Sequence, residues 1–395
     1  MDAQGFIKLA GPEGQALLEK VGPLESKTDV VKLVSRLRKD GHNPDLIANV
    51  LTQIKLRRKA QAKFGEFADS MFFTQEGLEQ ASRLSVAAMH ANRFRQSGIK
   101  EVADLGCGIG AESLALASLD INVRAFESDE ITAAIATYNL ASFPNAKVEQ
   151  ADVTTLNLNQ FEAFFLDPAR RDTHARKFDP NSFSPNLDFV LSAAQTKPSI
   201  VKLGPGLDHD LIPEQAEAVW ISVNGDLVEL SLYFGKVKRP NVLRAALLIT
   251  EHGYHELVSE KIQRTDAEVG PIAEYIYEPD SAIIRSHLLG DLAAQLGLHI
   301  FSPEIAYLTA ENKVHSPWLK TYRLMQNLPF DRKKLKAYLT SQNIGPLEIK
   351  KRGSDITPED LRKELNLKGK LPATLIITRV GEQHRALVVE PLPDS

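Results

Sequence analysis

The amino-acid sequence predicts an α/β chain built on a mainly parallel, doubly covered sheet, with a helical region ahead of it and α+β parts behind it. Three observations carry this. Short apolar strands alternate with helices from Glu101 onward, a glycine-rich turn lies between the first strand and its helix, and an Asn-Gly hairpin signal closes the sheet.

Residues 1 to about 98 show helical periodicity without strand-like alternation. Ser26 or Thr28 is placed to cap a helix through Lys39, which Asp40-Gly41 ends. Asn43-Pro44-Asp45 opens a second helix to about Lys63, with Ile47, Val50, Leu51 and Ile54 on one face. Thr74 caps a third that carries Leu78, Ala81, Val86 and Met89 and stops at Gly98.

The sheet begins with strand Val102–Leu105 and its helix from Glu112 to Ser118. Val123–Phe126 follows, with a helix through Tyr138; Lys147-Val148, Phe161–Leu166 and Ser199–Leu203 supply further strands. Val219–Val223 and Leu227–Phe234 flank Asn224-Gly225-Asp226, and both residues of an Asn-Gly turn accept positive φ. A parallel sheet that finishes in an antiparallel hairpin departs from the dehydrogenase-type nucleotide-binding domain. Past Gly235 the pattern changes to a strand at Val242–Ile249, an amphipathic helix at Ala282–Leu296 and another at Lys333–Leu339. The end reads as a small α+β unit: Leu347–Lys350, a helix from Thr357 to about Leu365, then strands Ala373–Thr378 and Arg385–Glu390. The expected divisions are 1–98 (helical), 99–235 (the sheet), 236–325 (α+β) and 326–395 (a C-terminal α+β domain).

A chain of 395 residues is long enough for two or three such domains. Its 43% hydrophobic and 25% charged residues suit a globular protein. No apolar run approaches the roughly 20 residues that span a bilayer. The N-terminus, Met1 to Lys8, lacks a secretory pattern, so a cytoplasmic protein with no membrane partner is expected. The single cysteine, Cys107, excludes an intrachain disulfide and a cysteine-based zinc cluster. Net charge is −4, yet Lys32, Arg36, Arg38 and Lys39 precede Lys55, Arg57, Arg58, Lys59 and Lys63. A second basic group comprises Arg332, Lys333, Lys334 and Lys336, then Lys350, Lys351 and Arg352. Such stripes suit phosphate contacts, and solvated helix faces are the plain alternative.

Asp104-Leu-Gly-Cys-Gly-Ile-Gly110 joins a strand to a helix, the location that gives a glycine triplet meaning. Gly106, Gly108 and Gly110 let the backbone approach a ligand closely, with Cys107 between them. Glu127 ends the second strand at the distance where an acid holds ribose hydroxyls, and Asp152, after the third strand, is placed to reach an adenine amine. Asp104 precedes the first glycine. It would oppose a pyrophosphate but suits a cationic methionyl ammonium, so S-adenosylmethionine is the expected cofactor rather than a dinucleotide.

Asp104–Gly110, Glu127, Asp152 and Phe165-Leu-Asp-Pro-Ala-Arg-Arg171 resemble successive motifs of the class I S-adenosylmethionine-dependent methyltransferases, which implies a Rossmann-like sheet ending in a hairpin. More narrowly, the chain resembles a bacterial methyltransferase family with a THUMP-like C-terminal domain. That resemblance rests on Lys63-Phe-Gly, Met71-Phe-Phe-Thr, Gly77-Leu-Glu-Gln80, Asp167–Arg171, Tyr277–Arg285, Ile349-Lys-Lys-Arg-Gly353 and Thr378-Arg379. It covers nearly the whole chain. It implies a ferredoxin-like part over about 236 to 325, a THUMP-like end, and Phe73 and Thr74 lying against the cofactor. THUMP domains elsewhere bind structured RNA, so RNA enters by analogy.

Asp167-Pro168-Ala169-Arg170-Arg171 follows the fourth strand, beside the expected methyl group. Asp167 could hold an acceptor amine with its lone pair towards the sulfonium, or could cap the next turn. Arg170 and Arg171 could clamp a phosphate or stack on a base, or pair with that acid. Enzymes acting on exocyclic base nitrogens usually carry Asp/Asn-Pro-Pro-aromatic here; this chain has alanine and arginine at the last two positions. A stacking shelf would come from Phe72, Phe73 or Phe178, unless these are core. Cys107 lies inside the turn as a small buried residue, which disfavours the covalent route to carbon methylation. His252 and His255 lack a third metal ligand, and His174 reads as a loop residue, so no metal is expected. The leading expectation is a methyltransferase acting on a base in structured RNA, tRNA or rRNA. A protein or small-molecule acceptor, and a non-catalytic RNA-binding protein, are the alternatives.

Overall fold

The computed structural model describes residues 2–24, 29–170 and 183–393. They form two compact units, Met1–Leu203 with Leu232–Arg239, and Gly204–Ser231 with Pro240–Ser395.

The first unit opens with α1 (Ala3–Ala10), α2 (Pro12–Val21), α3 (Val30–Lys39) and α4 (Pro44–Phe64). Asn43 caps α4, its side chain accepting from Asp45 N–H at 2.8 Å. Ser26 and Thr28 lie outside the described residues; the side chain that caps α3 is Asp29, which accepts from Lys32 N–H at 3.0 Å. Each such cap contributes about 1 kcal/mol. The third helix expected from the sequence is two, α5 (Gln75–Gln80) and α6 (Leu84–Gln96). Lys63 causes the break. Its ammonium donates to the carbonyls of Leu78, Glu79 and Ala81 at 2.8, 2.8 and 2.7 Å, satisfying a helix end with neither glycine nor proline.

Strands and helices then alternate: β1 (Glu101–Leu105), α7 (Ala111–Ser118), β2 (Asn122–Glu127), α8 (Glu130–Asn139), β3 (Ala146–Gln150) and β4 (Ala163–Leu166). Two-residue β5 (Ala169–Arg170) and β6 (Phe183–Ser184) pair with each other, and α9 (Leu187–Ala194) leads to β7 (Ser199–Leu203). The order β7-β4-β1-β2-β3 is parallel throughout. Successive strands are added on one side of β1 and then on the other, so a crevice opens at the carboxyl ends of β1 and β4. Phe6, Phe64, Phe72 and Phe73 are buried in the core that the N-terminal helices share with α8.

β8 (Glu217–Val223), in the second unit, turns into β9 (Asp226–Phe234), whose residues from Leu232 belong to the first, through Asn224 and Gly225, with φ of 51° and 84° as a type I′ turn requires. The chain does not leave this sheet at Gly235 as expected. Strand β10 (Arg244–Thr250) pairs in parallel with β8, and β11 (Gly253–Ser259) pairs antiparallel with β10. The predicted helix over 282–296 is divided into α10 (Ser281–Arg285) and α11 (Leu289–Leu296), with His287 at φ 63° near the junction.

The remaining elements are β12 (Tyr275–Pro279), β13 (His299–Ile300), β14 (Leu308–Ala310), β15 (Leu319–Pro329), α12 (Arg332–Ser341), β16 (Ile344–Lys351), α13 (Pro358–Leu365), β17 (Leu371–Val380) and β18 (Gln383–Pro391). Their sheet has the order β13-β14-β12-β15-β18-β17-β16. The division expected at 325/326 falls inside β15, which pairs with β12 near its start and with β18 along its end. The sheet curls strongly: Lys350 on β16 reaches Glu278 on β12, four places away in the order, at 2.7 Å.

Candidate active site

The crevice holds a cavity of about 680 Å³, lined by the glycine turn, by Glu127, Asp152 and Asp167, and by residues 80–82 of the α5–α6 junction. Gly106, Gly108 and Gly110 all take positive φ, at 99°, 54° and 87°. At Gly106 a Cβ would stand 3.2 Å from the Asp167 carbonyl oxygen, so glycine is required there on both counts.

Asp104, at the end of β1, is wholly buried. Ser113 donates to its Oδ2 at 2.5 Å, while Oδ1 has no hydrogen-bond partner. Burial pushes its carboxyl up to about 8, an effect the Ser113 hydrogen bond opposes and the nearby Glu112 and Asp167 charges reinforce. A buried, unpartnered carboxylate oxygen beside a cavity is suited to a cationic donor from a ligand. Glu127 is used differently. Its Oε2 accepts from Gly108 N–H and its Oε1 from Asp129 N–H, both at 3.0 Å, so it braces the turn as well as lining the cavity. Asp152 is exposed at the rim, and Thr154 hydrogen bonds hold its carboxyl below the usual range.

Asp167 lies one residue past β4, and Lys202 meets its Oδ2 at 2.5 Å while also donating to the Gln80 carbonyl at 2.9 Å. The register explains the meeting. Leu166 pairs with Val201 across β4 and β7, so the next residues, Asp167 just past β4 and Lys202 still within β7, stand side by side. Arg170 is placed by its backbone on β5; Arg171, His174 and Phe178 lie outside the described residues.

Phe73 and Thr74 do not line the cavity, contrary to the expectation. Phe73 is in the core, its ring 5.5 Å from Phe64 and its N–H donating to Gln53, and Thr74 caps α5 by accepting from Gly77 N–H at 2.9 Å. The residues that reach the cavity from this segment are Gly77, Gln80, Ala81 and Ser82. Phe72 is likewise core, packed on Tyr138 at 4.7 Å with Arg57 over its ring at 5.0 Å. Cys107 is buried, which raises its thiol well above the ordinary value and makes it a poor nucleophile. Of the basic residues read as a phosphate footprint, Lys63 and Arg57 are engaged with backbone carbonyls; Lys32, Arg36, Lys55 and Arg58 are exposed.

Two lining residues, Ser82 and Glu112, were missed, as was Lys202, which holds Asp167. Lys202 had no local signal, because only sheet register brings it to Asp167. Ser82 is buried with its Oγ unpartnered, and Glu112 forms a buried pair with His90 Nδ1 at 3.3 Å. Glu112, two places past the glycine turn on α7, could have been found by helical spacing. Among the described residues no cluster of three or more His, Cys, Asp or Glu could hold a metal.

A glycine turn at the switch point, followed by acids on successive strand ends, defines an S-adenosylmethionine-dependent methyltransferase with a Rossmann-like sheet. The comparisons agree. The chain is 30% identical over 335 residues to two uncharacterized S-adenosylmethionine-dependent methyltransferases of Mycobacterium tuberculosis, from strains CDC 1551 and H37Rv, covering 82% of this chain and 91% of each relative. It belongs to their family. A crystal structure of a Porphyromonas gingivalis W83 protein described as a methyltransferase shares the fold, with a TM-score of 0.72 at 20% identity over 100% of both chains. A THUMP domain-like family model matches residues 319–391, and a domain of unknown function matches residues 2–60.

Proposed function

We propose that this methyltransferase acts in the cytoplasm on a base in structured RNA, tRNA or rRNA. The observation that carries the RNA reading is the THUMP domain-like match over 319–391, together with exposed Lys333, Lys334 and Lys336 on α12 within it. Bound S-adenosylmethionine supplies an electrophilic methyl group. Asp104 Oδ1 would accept from its ammonium, Gly106, Cys107, Gly108 and Gly110 would present backbone to it, and Glu127 and Asp152 would take its ribose hydroxyls and adenine amine. Asp167, fixed by Lys202, accepts a hydrogen bond from the acceptor amine and turns the lone pair toward the methyl group. Arg170 and Arg171 contact a phosphate or the base plane of the acceptor strand.

Nucleoside profiling of RNA from wild-type and deletion strains tests this: one methylated nucleoside disappears. An unchanged profile removes RNA as the acceptor and leaves a protein or small molecule. Binding to the RNA that carries the missing methyl weakens by about a thousandfold or more between 50 and 200 mM salt if six or more phosphates are contacted. A flat salt response would remove the electrostatic part.

A further inference from the structure

The second unit contains a cavity of its own of about 680 Å³, in which the hairpin turn at Asn224-Gly225 and the end of β10 meet residues of β12, β15 and β16. Six basic side chains line it: His252, His255, His315, Lys320, Lys350 and Arg352. Two acids line it too, Glu278 and Asp280, and both are already engaged. Lys350 Nζ donates to Glu278 Oε2 at 2.7 Å and the Tyr322 hydroxyl donates to the same oxygen at 3.1 Å. Burial alone would raise the Glu278 carboxyl; the hydrogen bond and charge of Lys350 reverse that and hold it below the usual range. Asp280 Oδ1 accepts from Ser222 Oγ at 2.6 Å and from Ala282 N–H at 2.7 Å, capping α10.

The basic side chains are engaged only in part: Lys350 pairs with Glu278, Arg352 donates to the Ala306 carbonyl and His252 meets Glu251 at 3.5 Å. Lys320 stands opposite Glu278 in the β12–β15 register, but Lys350 holds that acid, and Lys320 remains exposed without an ion pair. His255, on β11, is half-buried at the cavity wall. Trp318 adds a flat apolar surface and is 7% exposed. A concave site with internally satisfied acids, an uncommitted ammonium at Lys320, the His255 imidazole and an aromatic wall selects an anion attached to a planar group.

We infer that this cavity is a binding site for a phosphate-bearing ligand, a nucleotide or a nucleic-acid phosphate, separate from the cofactor cavity. The site does not depend on which acceptor receives the methyl group.

Adenosine 5′-monophosphate and inorganic pyrophosphate, titrated at low ionic strength into the full chain, read it through tryptophan fluorescence and calorimetry. The only other tryptophan, Trp220, is fully buried against the His209 ring, so the change reports Trp318. Saturable binding is expected, weakened about tenfold or more by Lys320→Glu and less by His255→Ala, with S-adenosylmethionine affinity unchanged in both. An oligoribonucleotide that displaces adenosine 5′-monophosphate identifies a nucleic-acid phosphate; binding of the mononucleotide alone identifies a small phosphate ester. Either supports the site. No saturable binding of any probe, or binding indifferent to Lys320→Glu, overturns it, and neither result bears on the nucleoside profile.

Discussion

Two carboxylates face the cofactor cavity from neighbouring strand ends, and the protein treats them in opposite ways. Asp104 is sealed off from water, has Ser113 on one oxygen and leaves the other without a partner. Asp167 is 29% exposed and meets Lys202 before any ligand arrives. The difference separates their tasks. Asp104 is incomplete until a cation is supplied from outside, so its energy enters ligand affinity. Asp167 is neutralised from within, so its value lies in where it is held.

The largest expected effect tests the first half of that contrast. Asp104→Asn weakens S-adenosylmethionine by about a hundredfold in calorimetry, because a buried charge pair is never formed. Binding of 5′-methylthioadenosine, which has no ammonium, changes far less; an equal loss for both ligands would show that the substitution merely damages the turn. The same residue makes binding pH-dependent. The folded carboxyl is raised to about 8 from the ordinary 3.8, so the free chain holds a proton across that interval that the unfolded chain has released. The contribution of this carboxyl to the stability of the ligand-free protein therefore falls as pH rises from about 4 to 8. Ligand binding in that window releases the proton, giving a buffer-dependent enthalpy and an affinity that rises toward pH 8. Both dependences vanish in Asp104→Asn.

Lys202→Met addresses the second half. It lowers kcat by roughly ten- to a hundredfold by freeing Asp167 from its geometry, while S-adenosylmethionine affinity stays within about threefold. A matching loss of cofactor affinity would place Lys202 in binding instead. The smallest effect concerns Thr74. Thr74→Ala costs about 1 kcal/mol of stability through the α5 cap, read as a shift in Tm, and leaves cofactor affinity unaltered. A loss of affinity without loss of stability would return Thr74 to the ligand.

What the sequence made legible was coded locally. The glycine turn, the Asn43 cap and the Asn224-Gly225 hairpin each depend on a few adjacent residues whose backbone preferences leave little choice. The rest depended on partners distant in sequence. The pairing of Asp167 with Lys202 follows from strand register, and the break after α5 follows from a lysine on α4. Phe73 shows the converse: its neighbours identified a ligand-facing segment, yet packing against Phe64 assigned that side chain to the core. Strand β10 read correctly as a strand, but nothing local showed that it would pair with β8.

The shared strand β15 also determines how the C-terminal part can behave. The THUMP domain-like match begins at residue 319, where that strand begins, yet the strand's first residues pair with β12, outside the match. Excising residues 319–391 would strip β12 from its partner and expose a long raw edge. The module is therefore a region of one cooperative unit, and amide protons on β12 and β18 should exchange together, at a rate set by a single opening event.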